Sequence, residues 1–303
     1  MTITASMVAD LRAKTGAGMM DCKKALAEAN GSMEEAVDIL RKKGLSAAAK
    51  KASRVAAEGS VVTAGEGNLG VVVEVNAETD FVAKNESFQK FTAGVAKAVL
   101  DQAPANLEAL KALPFPGTDR TVEEEQVHLV ATIGENIHAR RFARFEVAAG
   151  VVASYVHGAG KIGVLVELAT DKGDDERVGA VARQLAMHVA AANPQFLSRQ
   201  EVPSDVLERE KEIYRAKAKE SGKPDNILEK IIEGQINKFF GEICLLEQAY
   251  VIDPDLKVQK VVDNLAKEIG SEVKLTRYAR FQLGEGVEKR EDDFAAEVAK
   301  LSK

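Results

Sequence analysis

Two stretches of this chain have the Gly-x-Gly-x-x-Gly spacing that can lay backbone N–H groups against a pyrophosphate. They are Gly65-Glu66-Gly67-Asn68-Leu69-Gly70 and Gly158-Ala159-Gly160-Lys161-Ile162-Gly163. Such a loop binds a dinucleotide where it leaves a strand and opens a helix, so that phosphate meets the helix N-terminus. Here each is followed by a further β-rich run, 71–75 and 164–168, so both are read as hairpin turns. The other reactive types are sparse. His128, His138, His157 and His188 never approach one another, or Cys22 and Cys244, at metal-ligand spacing. No Gly-x-Ser-x-Gly elbow, His-Glu-x-x-His pair or Walker-type Gly-Lys-Ser/Thr occurs. Bond-making catalysis, a resident metal and a bound cofactor are all disfavoured, and no catalytic residue is assigned.

The informative segment is Glu74-Val75-Asn76-Ala77-Glu78-Thr79-Asp80-Phe81-Val82-Ala83-Lys84. A strand ends, polar residues follow, and a large apolar residue beside an acid falls in a loop before the next helix. Either Asp80 caps a turn while Phe81 is tucked into the core, or Phe81 is presented outward. The corresponding stretch of the second half, Ala169-Thr170-Asp171-Lys172, keeps Thr-Asp and lacks the Phe.

The elements that must position this segment come in two copies. Gly67-Asn68-Leu69-Gly70-Val71-Val72-Val73-Glu74-Val75 is echoed 93 residues later by Gly160-Lys161-Ile162-Gly163-Val164-Leu165-Val166-Glu167-Leu168, and Gly59-Ser60-Val61-Val62 more loosely by Gly150-Val151-Val152-Ala153. Helical patterns follow over 86–100 and 175–192. Ile133-Gly134-x-x-Ile137-x-x-x-Arg141-Phe142-Ala143-Arg144-Phe145 then recurs 136 residues later as Ile269-Gly270-x-x-Val273-x-x-x-Arg277-Tyr278-Ala279-Arg280-Phe281. The difference of the two offsets places 43 extra residues in the second copy. Both halves thus read as α+β subdomains with antiparallel sheets, at 55–147 and at 148–193 with 241–283.

The extra residues fall within 194–240, which patterns as two helices around the turn Ser221-Gly222-Lys223-Pro224. The second is strongly apolar, with Ile231, Ile232, Ile236, Phe239 and Phe240, so it either joins a second copy of the chain or packs back at home.

Residues 1–51 carry nine Lys/Arg and six Asp/Glu, a net +3 in a chain of net charge −6, which marks off a small N-terminal module at 1–54. Three helices are predicted in it. The first is capped by Ser6 and reverses at Thr15-Gly16-Ala17-Gly18, and the second carries Met20, Cys22, Leu26 and Ala29 and stops at Asn30-Gly31. The third is capped by Ser32 with Glu35 and buries Val37, Ile39 and Leu40 before Gly44. The three resemble the bundle of ubiquitin-associated domains. The basic cluster over 41–51 is read as a solvated face and linker. From Gly284 onward, Phe294, Val298 and Leu301 have helical spacing, giving a C-terminal helical module at 284–303.

Leu11-Arg12-x-x-Thr15-Gly16-Ala17-Gly18-Met19-Met20-Asp21-Cys22-Lys23-Lys24-Ala25-Leu26 and the 74–84 run are similar to the two signatures of bacterial elongation factor Ts, in that order and at that separation. One departure is Ala77, where that family often has Cys or Ser. The resemblance spans essentially the whole chain. It implies a guanine-nucleotide exchange factor that binds elongation factor Tu, GDP-bound or nucleotide-free. Thr79, Asp80, Phe81 and Val82 would enter the partner and dislocate its Mg²⁺, and Met19, Met20 and His157 would supply further partner contacts.

A binding adaptor working through the N-terminal module is the alternative. Neither direct nucleic-acid binding nor a membrane role is expected, since Trp is absent, aromatics are 5% and no apolar run reaches membrane-spanning length. Two cysteines and no leader-like N-terminus read as cytoplasmic.

Overall fold

The computed structural model describes residues 2–219 and 225–288, and the C-terminal helix expected around Phe294, Val298 and Leu301 lies outside them. Three helices open the chain: α1 (Ala5–Thr15), α2 (Met19–Glu28) and α3 (Met33–Lys51). Thr4, not Ser6, caps α1, its side chain accepting from the Met7 N–H; the helix begins two residues earlier than the apolar stripe indicates. Ser32 caps α3 as expected, accepting from the Glu35 N–H at 3.3 Å. Leu11, Cys22, Ala25, Leu26 and Ala36 form the buried centre of this bundle, with Val37, Ile39 and Leu40 half-buried around it.

One expectation about α3 fails. Gly44 does not end the third helix, which runs on through the basic cluster to Lys51. The reason is tertiary. Gly44 faces α7 (Val122–Ile133), where a Cβ would already touch Ala131 and Val127, and Arg41 pairs with Glu124 across the same contact. Packing outweighs the roughly 1 kcal/mol that a mid-helix glycine costs.

The described residues fall into two units, one from 2–62, 73–142 and 282–288, the other from 63–72 and 143–281. Each copy of the duplication supplies a three-stranded antiparallel sheet. The first contains β1 (Glu58–Glu66), β2 (Leu69–Ala77) and β3 (His138–Glu146) in that order, and the second β4 (Gly150–His157), β5 (Ile162–Ala169) and β6 (Lys274–Gln282). β4 and β5 pair with Gly150 opposite Ala169 and His157 opposite Ile162. Both glycine-rich motifs are therefore hairpin turns.

The repeat is visible down to single glycines. A Cβ on Gly59, at φ +123°, would lie 2.2 Å from the Val75 carbonyl oxygen, and one on Gly150, at φ +142°, 2.0 Å from that of Leu168. These glycines are 91 residues apart while their partners are 93 apart. The turn between β4 and β5 is two residues longer than that between β1 and β2, which accounts for the difference. Gly150→Ala is expected to destabilise the protein by about 1–3 kcal/mol through this strain. An unchanged denaturant midpoint would contradict it.

A 17-residue helix follows each hairpin, α5 (Glu86–Gln102) and α8 (Glu176–Ala192), capped by Asn85 and Asp175, and α8 packs against β4 and β5. The short helices α4 (Asp80–Ala83) and α6 (Leu107–Ala112) belong to the first copy alone. The last helix of each copy, α7 and α11 (Val258–Ile269), has 12 residues and ends on a left-handed glycine, Gly134 or Gly270. The second core unites Val164, Val166 and Leu168 with Val178, Leu185 and Val189 of α8 and Val262 and Leu265 of α11.

The insertion is a helical hairpin, α9 (Ser204–Lys219) and α10 (Asp225–Ile243). Much of the apolar face of α10 is used at home. Ile236, Phe240 and Ile243 are buried with Cys244 against Phe196, Leu207 and Tyr214, whereas Ile213 and Ile227 are exposed. The two ends of the insertion meet. The Gln195 and Phe196 N–H groups donate to the Ile243 carbonyl, and those of Leu245 and Leu246 donate to Phe196 and Leu197.

Candidate functional site

The segment after β2 is built to leave the core abruptly. β2 is buried along nearly its whole length, up to Ala77. Thr79 then takes the N-cap position of α4, but its side chain does not cap the helix. Its hydroxyl donates instead to Glu135 Oε1 at 2.7 Å. The other oxygen of Glu135 accepts the Glu78 and Thr79 backbone N–H groups at 3.1 and 3.0 Å. Glu78 reciprocates, accepting the Asn136 N–H at 2.6 Å and pairing with Arg54 at 3.4 Å. Asn136 in turn donates to the Arg54 carbonyl at 2.8 Å.

Beyond this clamp the four signature residues separate. Val82 is buried and anchors the turn, while Asp80 and Phe81 face outward, with the Phe81 ring 78% exposed. The outward presentation of Phe81 is therefore the one the fold adopts. Asp80 has no side-chain hydrogen bond or ion pair among the described residues, so it does not make the turn cap that the inward alternative required. By the 93-residue offset Asp171 lies opposite Glu78, and it accepts a hydrogen bond from Ser271, the counterpart of Glu135. On the far side of the turn Asn85 Oδ1 accepts from the Ser87 and Phe88 N–H groups and starts α5. The turn is thus fixed at both ends.

Met19 and Met20, the first residues of α2, are 59% and 63% exposed. They form an apolar patch beside the turn that Gly16, at φ +65°, permits. His157 lies in the other unit, as the last residue of β4, exposed, with its Nδ1 3.1 Å from the Tyr155 hydroxyl. The remaining histidines are partly or fully buried. His188 is buried, bonded to Gln248 and to the Val251 N–H, and burial lowers its pKa. Burial likewise lowers those of His128 and His138.

Glu135 and Asn136 are absent from the residues singled out by sequence reasoning, and Glu78, inside the 74–84 run, has no role of its own there. A signal was present: Glu135 and Asn136 are the two unrepeated positions inside the otherwise repeated Ile-Gly-x-x-Ile/Val block. A second buried pattern was also missed. Glu74 has no exposed surface, its oxygens accepting from Arg140 at 3.0 Å, Arg141 at 2.6 Å and the Gly284 N–H at 2.8 Å. Its counterpart Glu167 is held by Arg277 at 2.6 Å and Thr276 at 2.6 Å.

A family profile described as Elongation factor TS matches residues 78–285. Among curated relatives, Elongation factor Ts of Syntrophotalea carbinolica is 74% identical over 303 residues, covering all of both chains. That of Magnetococcus marinus is 58% identical over 301 residues, 99% of each chain, and that of Trichlorobacter lovleyi 58% identical over 305 residues, 99% of this chain and 98% of its own. Identity of this extent along the whole length leaves one assignment: the chain belongs to the elongation factor Ts family.

Proposed function

We propose that the protein is a guanine-nucleotide exchange factor for elongation factor Tu in translation elongation, acting in the cytoplasm and catalysing no bond chemistry of its own. The observation that carries this reading is the exposed Phe81 beside Asp80 on a clamped base. Solvating so large an apolar ring is unfavourable unless a partner covers it. The mechanism is linkage. A factor that binds the nucleotide-free GTPase more tightly than the GDP-bound form weakens GDP by the same ratio. Mg²⁺ bridges phosphate oxygens to the GTPase, so displacing it removes much of the nucleotide affinity. Phe81 acts as the wedge, Asp80 adds a negative charge beside the metal site, and Val82 and Thr79 hold both in place. Met19, Met20 and His157 are further contacts to the partner. Release of a fluorescent GDP from loaded elongation factor Tu tests the proposal, and a rate unaffected by added protein would overturn it.

The segments 1–54, 55–147, 148–193 with 241–283, 194–240 and 284–303 are proposed as the functional parts. An adaptor acting through 1–54 alone is the second reading, favoured by the exposed methionine pair. It predicts that Phe81 is idle. For 194–240 we propose self-association through exposed Ile213 and Ile227. Ile236 is a poor test, because an Asp there would break the hairpin's own cluster. Ile213→Asp with Ile227→Asp should lower the sedimenting mass if this face joins two copies, whereas an unchanged mass removes the hairpin as an interface.

A further inference from the structure

Asp80 and Phe81 can act as a wedge only if the turn bearing them keeps its direction when it meets resistance. Of the groups that fix that direction, Glu135 makes the most contacts. It sits half-buried between α7 and β3 and reaches 57 residues back along the chain to the Glu78 N–H. Its carboxylate accepts three hydrogen bonds, from two consecutive backbone N–H groups and one hydroxyl, all in the two residues immediately before Asp80. Hydrogen bonds to an ionised acceptor are roughly twice as strong as neutral ones. The clamp also diverts the Thr79 hydroxyl from its ordinary capping task, leaving the side-chain cap of α4 unmade.

The duplication separates a folding role from a functional one. Both copies have the same sheet order and the same final helix length, so a residue needed only for the fold would be needed twice. The second copy has Ser271 in place of Glu135, and Ser271 donates to a side chain, Asp171, instead of gathering backbone N–H groups. It has a plain turn over 171–174 where the first copy has α4. The three-bond clamp occurs where there is an outward Phe to aim.

We infer that Glu135 is a positioning residue for exchange, acting through Phe81. This rests on the reading of Asp80 and Phe81 as the wedge. The test measures GDP release from elongation factor Tu against concentration of this protein, for five variants beside the parent. Glu135→Ala should lower the maximal release rate by roughly tenfold or more, as small misplacements of positioned groups do. The half-saturating concentration should change less, because Met19, Met20 and His157 are untouched. Glu135→Gln should restore most of the rate. Its Oε1 can accept from both N–H groups while its Nε2 donates to Thr79 Oγ1, with the hydroxyl turned away. Thr79→Val, which removes one bond of the three and keeps the shape, should fall between, and decides the matter if the Ala variant does not fold.

The double variant Glu135→Ala with Phe81→Ala provides the readout that a merely structural residue would not move. If Glu135 works through Phe81, it should be no slower than Phe81→Ala alone. A further tenfold loss in the double variant, a normal rate for Glu135→Ala, or a Gln variant as slow as Ala would overturn the inference. Phe81→Ala exchanging normally would instead sink the wedge reading beneath it, so the two failures are told apart.

Discussion

Phe81→Ala is expected to slow GDP release from elongation factor Tu by about thirtyfold or more while scarcely moving this protein's own melting temperature. An aromatic that enters a partner behaves as a hot spot, where truncation costs about 2 kcal/mol or more, and about 1.4 kcal/mol is a factor of ten. The side chain is 78% exposed, so its removal opens no cavity, and surface changes of that kind stay within about 0.5 kcal/mol. A core Phe would do the opposite and cost about 3–5 kcal/mol of folding stability. Thermal melting and exchange kinetics on one variant therefore separate wedge from core: a sharply lowered melt with normal residual exchange would refute the assignment. Asp80→Ala should show the same defect in milder form, since the ring can still disturb the metal site without the added charge.

Glu74→Ala should be the most destabilising single change, at about 3–5 kcal/mol, because removing one partner of a buried ion pair strands the others. Arg140, Arg141 and the Gly284 N–H all converge on this carboxylate. The same cluster ties down the chain after β6: Arg140 also bonds the Glu285 carbonyl, and Arg141 the Gln282 carbonyl and the Glu285 carboxylate. A pH signature follows. Burial acts to raise the Glu74 pKa, but the Gly284 N–H and the arginines outweigh it and hold it below the ordinary 4.5. A carboxyl whose folded pKa is depressed contributes fully above its unfolded value and loses that contribution as pH falls through the folded one. Stability should therefore fall below about pH 4.5, and Glu74→Gln should flatten that part of the curve. Urea unfolding from pH 7 to pH 3 would show it, and parallel curves for parent and Gln variant would contradict it.

How much of this was legible in the residues depended on the range of the interaction. The hairpins, the paired helices, the 43-residue insertion and the outward alternative for Phe81 all rest on patterns a few residues long or on a repeat that can be counted. The end of α3 was misjudged because Gly44 reads locally as a stop, and α7, which overrides it, lies about 80 residues further on. Glu135 was missed because a carboxylate receiving backbone N–H groups leaves no composition of its own. Only comparison of the two copies, position by position, brings it out.

The insertion's two ends are joined by hydrogen bonds across 195–197 and 243–246. α9 and α10 therefore leave and return at one seam, and the strands on either side never feel how far the chain has travelled between. A segment closed this way can be shortened, extended or lost in a single genetic event, with the sheet's register preserved. It is a place where lineages are free to differ in length while keeping the same core, and where a foreign domain could be grafted into this protein with least harm.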